Sequence, residues 1–71
     1  MKISCYAETD SLYIELRPGP GSETREIASG LNIDLDSEGN VVGFDIDGAS
    51  GRSDLSVLET VAFPVLPDRA A

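Results

Sequence analysis

Asp34-Leu-Asp-Ser-Glu-Gly-Asn-Val-Val-Gly-Phe-Asp-Ile-Asp47 is the stretch whose reading decides the fold. On its first side Leu31, Ile33 and Leu35 alternate with Asn32, Asp34 and Asp36, and on its second Val42, Phe44 and Ile46 alternate with Gly43, Asp45 and Asp47. A period of two marks a half-buried strand, so the stretch reads as a β-hairpin with an acidic tip. Gly39 or Asn40 supplies the positive φ that a tight connection needs. The same letters imitate a calcium loop. On the template D-x-[DN]-x-[DN]-G-x5-E, Asp34, Asp36 and Glu38 take the first three ligand positions, Gly39 the turn, Val41 the apolar position and Asp45 the end. Three features oppose that reading. Glu38 replaces a shorter Asp or Asn, Asp45 is one methylene short of the usual bidentate Glu, and the flanks alternate as strands where a calcium loop has helices. The hairpin is preferred, with Asp34 and Asp36 on the solvent face of its first arm.

Outward from the hairpin, the same period recurs. Lys2 to Tyr6 places Ile3 and Cys5 on one face. Leu12, Ile14 and Leu16 share a face in the next run, with Tyr13, Glu15 and Arg17 opposite, and Ala7 to Ser11 turns the chain between them. Pro18-Gly-Pro-Gly-Ser22 cannot continue a ladder, because proline lacks a donor and glycine favours turns. It also lacks the lysine of a phosphate-binding loop. Glu23 to Ala28, with Ile27 as its only large apolar side chain, reads as an edge strand closed by Ser29-Gly30. After Gly48-Ala-Ser-Gly51 the period lengthens: Leu55, Leu58 and Val61 or Ala62 are spaced for one face of a helix of about two turns. Ser53 would be its N-cap, Asp54 would lie in its first turn, and Pro64 would stop it by Phe63. So short a helix needs docking to be stable, which predicts that it covers the sheet. These readings give one domain over 1–63 and a tail over 64–71.

At 71 residues a chain buries only about 60% of the surface it would expose unfolded, so burial against a second copy or a partner is a natural supplement. A homodimer is expected. Thirteen acidic residues face Lys2, Arg17, Arg25, Arg52 and Arg69, for a net charge of −8. Scattered cations cannot displace the counterions of a phosphate backbone, which argues against nucleic acid and for a basic protein partner. One cysteine permits no intramolecular disulfide and suits a reducing compartment. No apolar run is long enough for a signal peptide core or a membrane span, so a cytoplasmic protein without membrane association is expected.

Catalytic motifs are weak. Glu15, Asp45 and Asp47 fall on one sheet face and invite a paired-carboxylate reading. However, there is no sign of an apolar pocket to raise one pKa, and no histidine to serve as base or ligand. Cys5, beside Ile3, reads as a small buried hydrophobe because nothing nearby would form its thiolate. Tyr6 and Tyr13, on the polar faces of adjacent strands, suit either a cross-strand pair or a contact patch.

The run Asp10-Ser-Leu-Tyr-Ile-Glu-Leu16, the hairpin from Asp34 through Ile46 and the Ala49-Ser50 step resemble a family of small bacterial proteins, domain of unknown function 2283. Its patterns are D-x-L-Y-I-x-L and D-x-D-x-x-G-x-V-V-G-[IF]-[DE]-[IL], and the resemblance covers about residues 1 to 62. It implies a compact sheet-plus-helix domain with no catalytic residues or cofactor to carry across. A genomic setting beside small toxin-like proteins would imply an antitoxin-like role, neutralising a basic partner.

The expected architecture is α+β: four or five antiparallel strands in meander order with one short C-terminal helix over the apolar face. That face would comprise Ile3, Leu12, Ile14, Leu16, Ile33, Leu35, Phe44, Ile46, Leu55 and Leu58. The opposite face would carry Tyr13, Glu15, Asn32, Asp34, Asp45 and Asp47. The expected function is non-enzymatic protein interaction through Tyr13, Glu15, Asp45 and Asp47 or through a sheet edge. The alternative is a metal-binding protein or metal-dependent hydrolase using Asp34, Asp36, Glu38 and Asp45.

Overall fold

A computed structural model describes residues 1–64. Five strands form one antiparallel sheet: β1 (Lys2–Tyr6), β2 (Ser11–Glu15), β3 (Glu23–Ala28), β4 (Leu31–Leu35) and β5 (Val41–Asp47). A single turn of helix, α1 (Ala49–Arg52), follows the last strand. The expected sheet with a short helix after the strands is therefore what the chain forms.

The strand order is β1-β2-β5-β4-β3. Locally it is a hairpin followed by a three-stranded meander, and the two units join where β2 pairs with β5. A plain sequential meander would have set β2 beside β3. The segment holding Pro18 and Pro20 makes no tight hairpin; it carries the chain past β5 and β4 to the far edge of the sheet. That distance is about 14 Å at ordinary strand spacing, well within the reach of seven residues. The seven-residue β5 then takes the centre, where both its edges are paired.

The register sorts the side chains into two faces. Ile3, Ile14, Phe44 and Ile33 lie opposite one another in one row across four strands, and Cys5, Leu12, Ile46 and Leu31 in a second row. On the other face Ser4, Tyr13, Asp45, Asn32 and Glu26 form a row, with Lys2, Glu15, Gly43, Asp34 and Thr24 beside it. Alternation in the sequence places Ile3, Leu12, Ile14, Ile33, Phe44 and Ile46 on the first of these faces and Tyr13, Glu15, Asn32, Asp34 and Asp45 on the second, as found.

What covers the apolar face differs from the expectation. The helix lies at Ala49–Arg52, not downstream of Ser53, and Leu55 and Leu58 belong to no helix. Ser53 closes α1 in an extended conformation, with its N–H donated to the Ala49 carbonyl. The Asp54 carboxylate accepts the N–H and hydroxyl of Ser56, holding a local turn where the helix was to begin. Ala62 has φ 58, a left-handed conformation that no α-helix accommodates. The helical spacing was real, but two turns cannot outweigh these local alternatives. As a result only Leu35, Val42 and Ala49 are buried apolar side chains among the described residues. Cys5, expected to be buried, is exposed on the edge strand β1. The predicted tail lies, from residue 65 onward, outside the described residues.

α1 is held by the β1–β2 turn. Asp10, at φ 53, accepts the Ala49 N–H on its carbonyl at 2.9 Å. Its carboxylate accepts the N–H of Ser50 at 3.0 Å and the Ser50 hydroxyl at 2.8 Å. Asp10 thus caps, from a distant turn, a helix whose own N-cap, Gly48, has no side chain with which to do so.

Candidate functional site

The face bearing Tyr13, Glu15, Asp45 and Asp47 is built by two adjacent strands. Tyr13 lies directly opposite Asp45, Ser11 opposite Asp47, and Glu15 opposite Gly43. Tyr6, Thr9, Ser11, Tyr13 and Asp45 line a shallow depression there. The four residues named from alternation are therefore neighbours.

Tyr13 is the organising side chain. Its ring lies across Gly43, and its hydroxyl donates to Asp34 Oδ2 at 2.6 Å, two strands away. A Cβ on Gly43 would meet the Tyr13 hydroxyl at 2.1 Å, so only glycine admits the ring. The other Asp34 oxygen accepts the Thr24 hydroxyl at 2.7 Å. The hydrogen bond to Asp34, followed by burial and the charges of Asp34, Glu15 and Asp45, pushes the Tyr13 pKa up to about 12. Tyr13 is a firmly held donor. A glycine in the interior of β5 was the sequence signal for this close approach, and neither the ring's placement over it nor the capping role of Asp10 was read from the sequence.

Asp45 is held above the usual carboxylate range, first by burial and then by the charges of Asp47 and Asp34. Little offsets this crowding. Among the strand residues, Lys2, opposite Glu15, is the only basic side chain on this face. Arg17 bonds Asp36 at 2.7 Å, Arg25 bonds Glu23 at 2.7 Å, and Arg52 donates to the Ser29 carbonyl.

The carboxylates of the calcium-loop template point to different tasks. Asp34 serves Tyr13 and Thr24 on the sheet face. Asp36 folds the hairpin tip: its Oδ1 accepts the N–H groups of Glu38 and Asn40 at 2.9 Å each, and its Oδ2 accepts from Arg17. The Asn40 N–H is the leading reason its pKa is lowered, with the Glu38 N–H, the Asn40 amide and Arg17 adding to the effect. Gly39, at φ 86, supplies the left-handed residue of the connection. Glu38 is exposed at the tip. Among the described residues no group of three or more His, Cys, Asp or Glu side chains is placed to hold a metal ion, and no helix is long and apolar enough to cross a membrane.

On the opposite side, Ile3, Cys5, Leu12 and Ile14 line an apolar groove of about 370 Å³ whose other wall is Ser53 to Leu58.

Fold and faces together define a small antiparallel-sheet protein with one short helix, one acidic face and one apolar face. The family model described as "Protein of unknown function (DUF2283)" matches residues 2–50, and the chain belongs to that family. The match runs from the start of β1 to Ser50, and so contains the Asp10–Ser50 and Tyr13–Asp34 contacts that join its two motif regions. No curated protein and no solved structure matches the chain.

Proposed function

We propose that this protein is a non-enzymatic interaction module of the cytoplasm whose acidic sheet face engages a more basic protein. The observation that supports this reading is the charge gathered around Tyr13, where Glu15, Asp34, Asp45 and Asp47 share one face while Arg17, Arg25 and Arg52 are engaged elsewhere. Burial and like charge already act against ionisation of Asp45, so a cationic side chain placed there would relieve a cost present in the free protein. Tyr6 and Tyr13 add flat, amphipathic surface of the kind that recurs at protein interfaces. A strand-built face is also stiff, which limits the ordering cost of binding. An antitoxin-like role against a basic partner is one instance of this chemistry.

The test is affinity capture from the native cells at low salt, followed by elution with salt and identification of what is retained. A stoichiometric basic protein, bound at least about tenfold more weakly by the Asp45→Asn, Asp47→Asn double variant, is the expected result. Unchanged affinity in the double variant would remove the acidic face from the interaction.

A further inference from the structure

We propose that a second copy of this chain covers the apolar face, so that two sheets pack face to face as a two-layer sandwich. A stable domain ordinarily has two layers around its core. Among the described residues the second layer is slight: α1 spans four residues and contributes only Ala49 to the buried set, and Ser53 to Leu58 forms one wall of a groove over Ile3, Cys5, Leu12 and Ile14. Ile3, Leu55, Val57 and Leu58 line one open groove. Ile3 is 43% exposed in the sheet, and Leu55, Val57, Leu58 and Phe63 are 42%, 64%, 74% and 57% exposed in the segment that follows α1.

Charge selects the occupant. The whole chain carries −8, yet the strand residues on the apolar side include only two charges, Glu23 and Arg25, which pair with each other at 2.7 Å, and Asp54 is the one carboxylate among the described residues that lines the groove. A basic protein finds little counter-charge there. A second acidic copy meets far less repulsion there than at the face bearing Glu15, Asp34, Asp45 and Asp47. The contact is isologous: each copy presents the same rows of Ile and Leu, and a two-fold axis satisfies both at once. The area also suffices. Five strands of five to seven residues cover a sheet of about 24 by 20 Å at standard spacing and rise. Two such faces remove on the order of 1,000 Å² in plan, before side-chain relief and the segment after α1 are added, which reaches the size of a specific interface. Aligned sheets pack about 10 Å apart with interdigitating side chains.

This inference stands apart from the acidic-face reading, since the Asp45→Asn, Asp47→Asn variant should dimerise like the wild type. Sedimentation equilibrium across a wide concentration range is the first measurement. Twice the 7.5 kDa chain mass, with a midpoint of thermal unfolding that rises with protein concentration, is expected. A monomer at every concentration, with a fixed midpoint, overturns the proposal. The face itself is read from the native thiol: Cys5 is exposed in the single chain and lies in the groove beside Leu12. Its alkylation rate should fall at least about tenfold as the dimer forms, and a doubled mass with an unchanged rate would assign the dimer to a sheet edge and overturn this face. Ile14→Asp should weaken dimerisation by at least about a hundredfold, and a fully dimeric Ile14→Asp protein would also overturn it. Should that variant fail to fold, the wild-type mass and thiol rate decide.

Discussion

Tyr13, Gly43 and Asp34 form a unit in which the ring needs the glycine and the hydroxyl needs the carboxylate. Tyr13→Phe leaves Asp34 with one protein donor fewer and should cost about 1–2 kcal/mol at fixed protein concentration. Gly43→Ala displaces the ring and should cost a similar amount. Because the second change has already broken the bond that the first removes, the double variant should lose clearly less than the sum, and chemical denaturation of the four proteins checks this. Ionisation gives an independent reading. A phenol whose folded pKa is raised favours folding fully below its ordinary value of 10.0 and loses that contribution as pH climbs to about 12. Alkaline titration of phenolate absorbance should show one tyrosine ionising near 12, and Tyr13→Phe should remove that step.

At the scale of elements, α1 depends on a residue that is thirty-nine positions before its first residue. The Asp10 carboxylate and carbonyl take three donors from Ala49 and Ser50, and its left-handed backbone is one that aspartate tolerates better than alanine. Asp10→Ala should therefore cost about 1–3 kcal/mol, combining a lost cap with backbone strain, whereas Asp10→Gly loses the cap alone and should cost less. Urea unfolding of the two variants ranks them; equal losses would mean the backbone conformation contributes nothing. The strands themselves were legible, because alternation in β1, β2, β4 and β5 carries into the sheet, with a register shift between Asp34 and Leu35 in the β4–β5 pair. The helix downstream of Ser53 was misplaced for a reason equally local: the Asp54–Ser56 turn and left-handed Ala62 interrupt a spacing that would otherwise be helical.

For the whole molecule, the acidic face makes stability depend on pH through Asp45. Its pKa is raised, so its contribution to folding is complete below the ordinary 3.8 and is lost as pH rises through the folded value. At neutral pH, Asp45→Asn should therefore unfold at a slightly higher temperature than the wild type, and the difference should shrink as pH falls toward 3.8. Thermal unfolding of both proteins from pH 7 to 4 measures it; a constant gap would mean that Asp45 carries no unfavourable charge. Asp36 acts in the opposite sense, since its lowered pKa supports folding above 3.8 and that support disappears on further acidification.

From the amino-acid order alone come the strands, the division into an acidic and an apolar face, the hairpin at Asp36–Asn40 and the grouping of Tyr13, Glu15, Asp45 and Asp47. These follow from a period of two and from turn chemistry, both properties of neighbours in the chain. Only the tertiary structure decided that β2 lies against β5, that Tyr13 crosses Gly43 to reach Asp34, that Asp10 caps α1, and that Ser53 to Leu58 walls a groove against Ile3, Cys5, Leu12 and Ile14. Each joins residues distant in sequence. Local periodicity says which way a side chain faces, but not what, if anything, is packed against it.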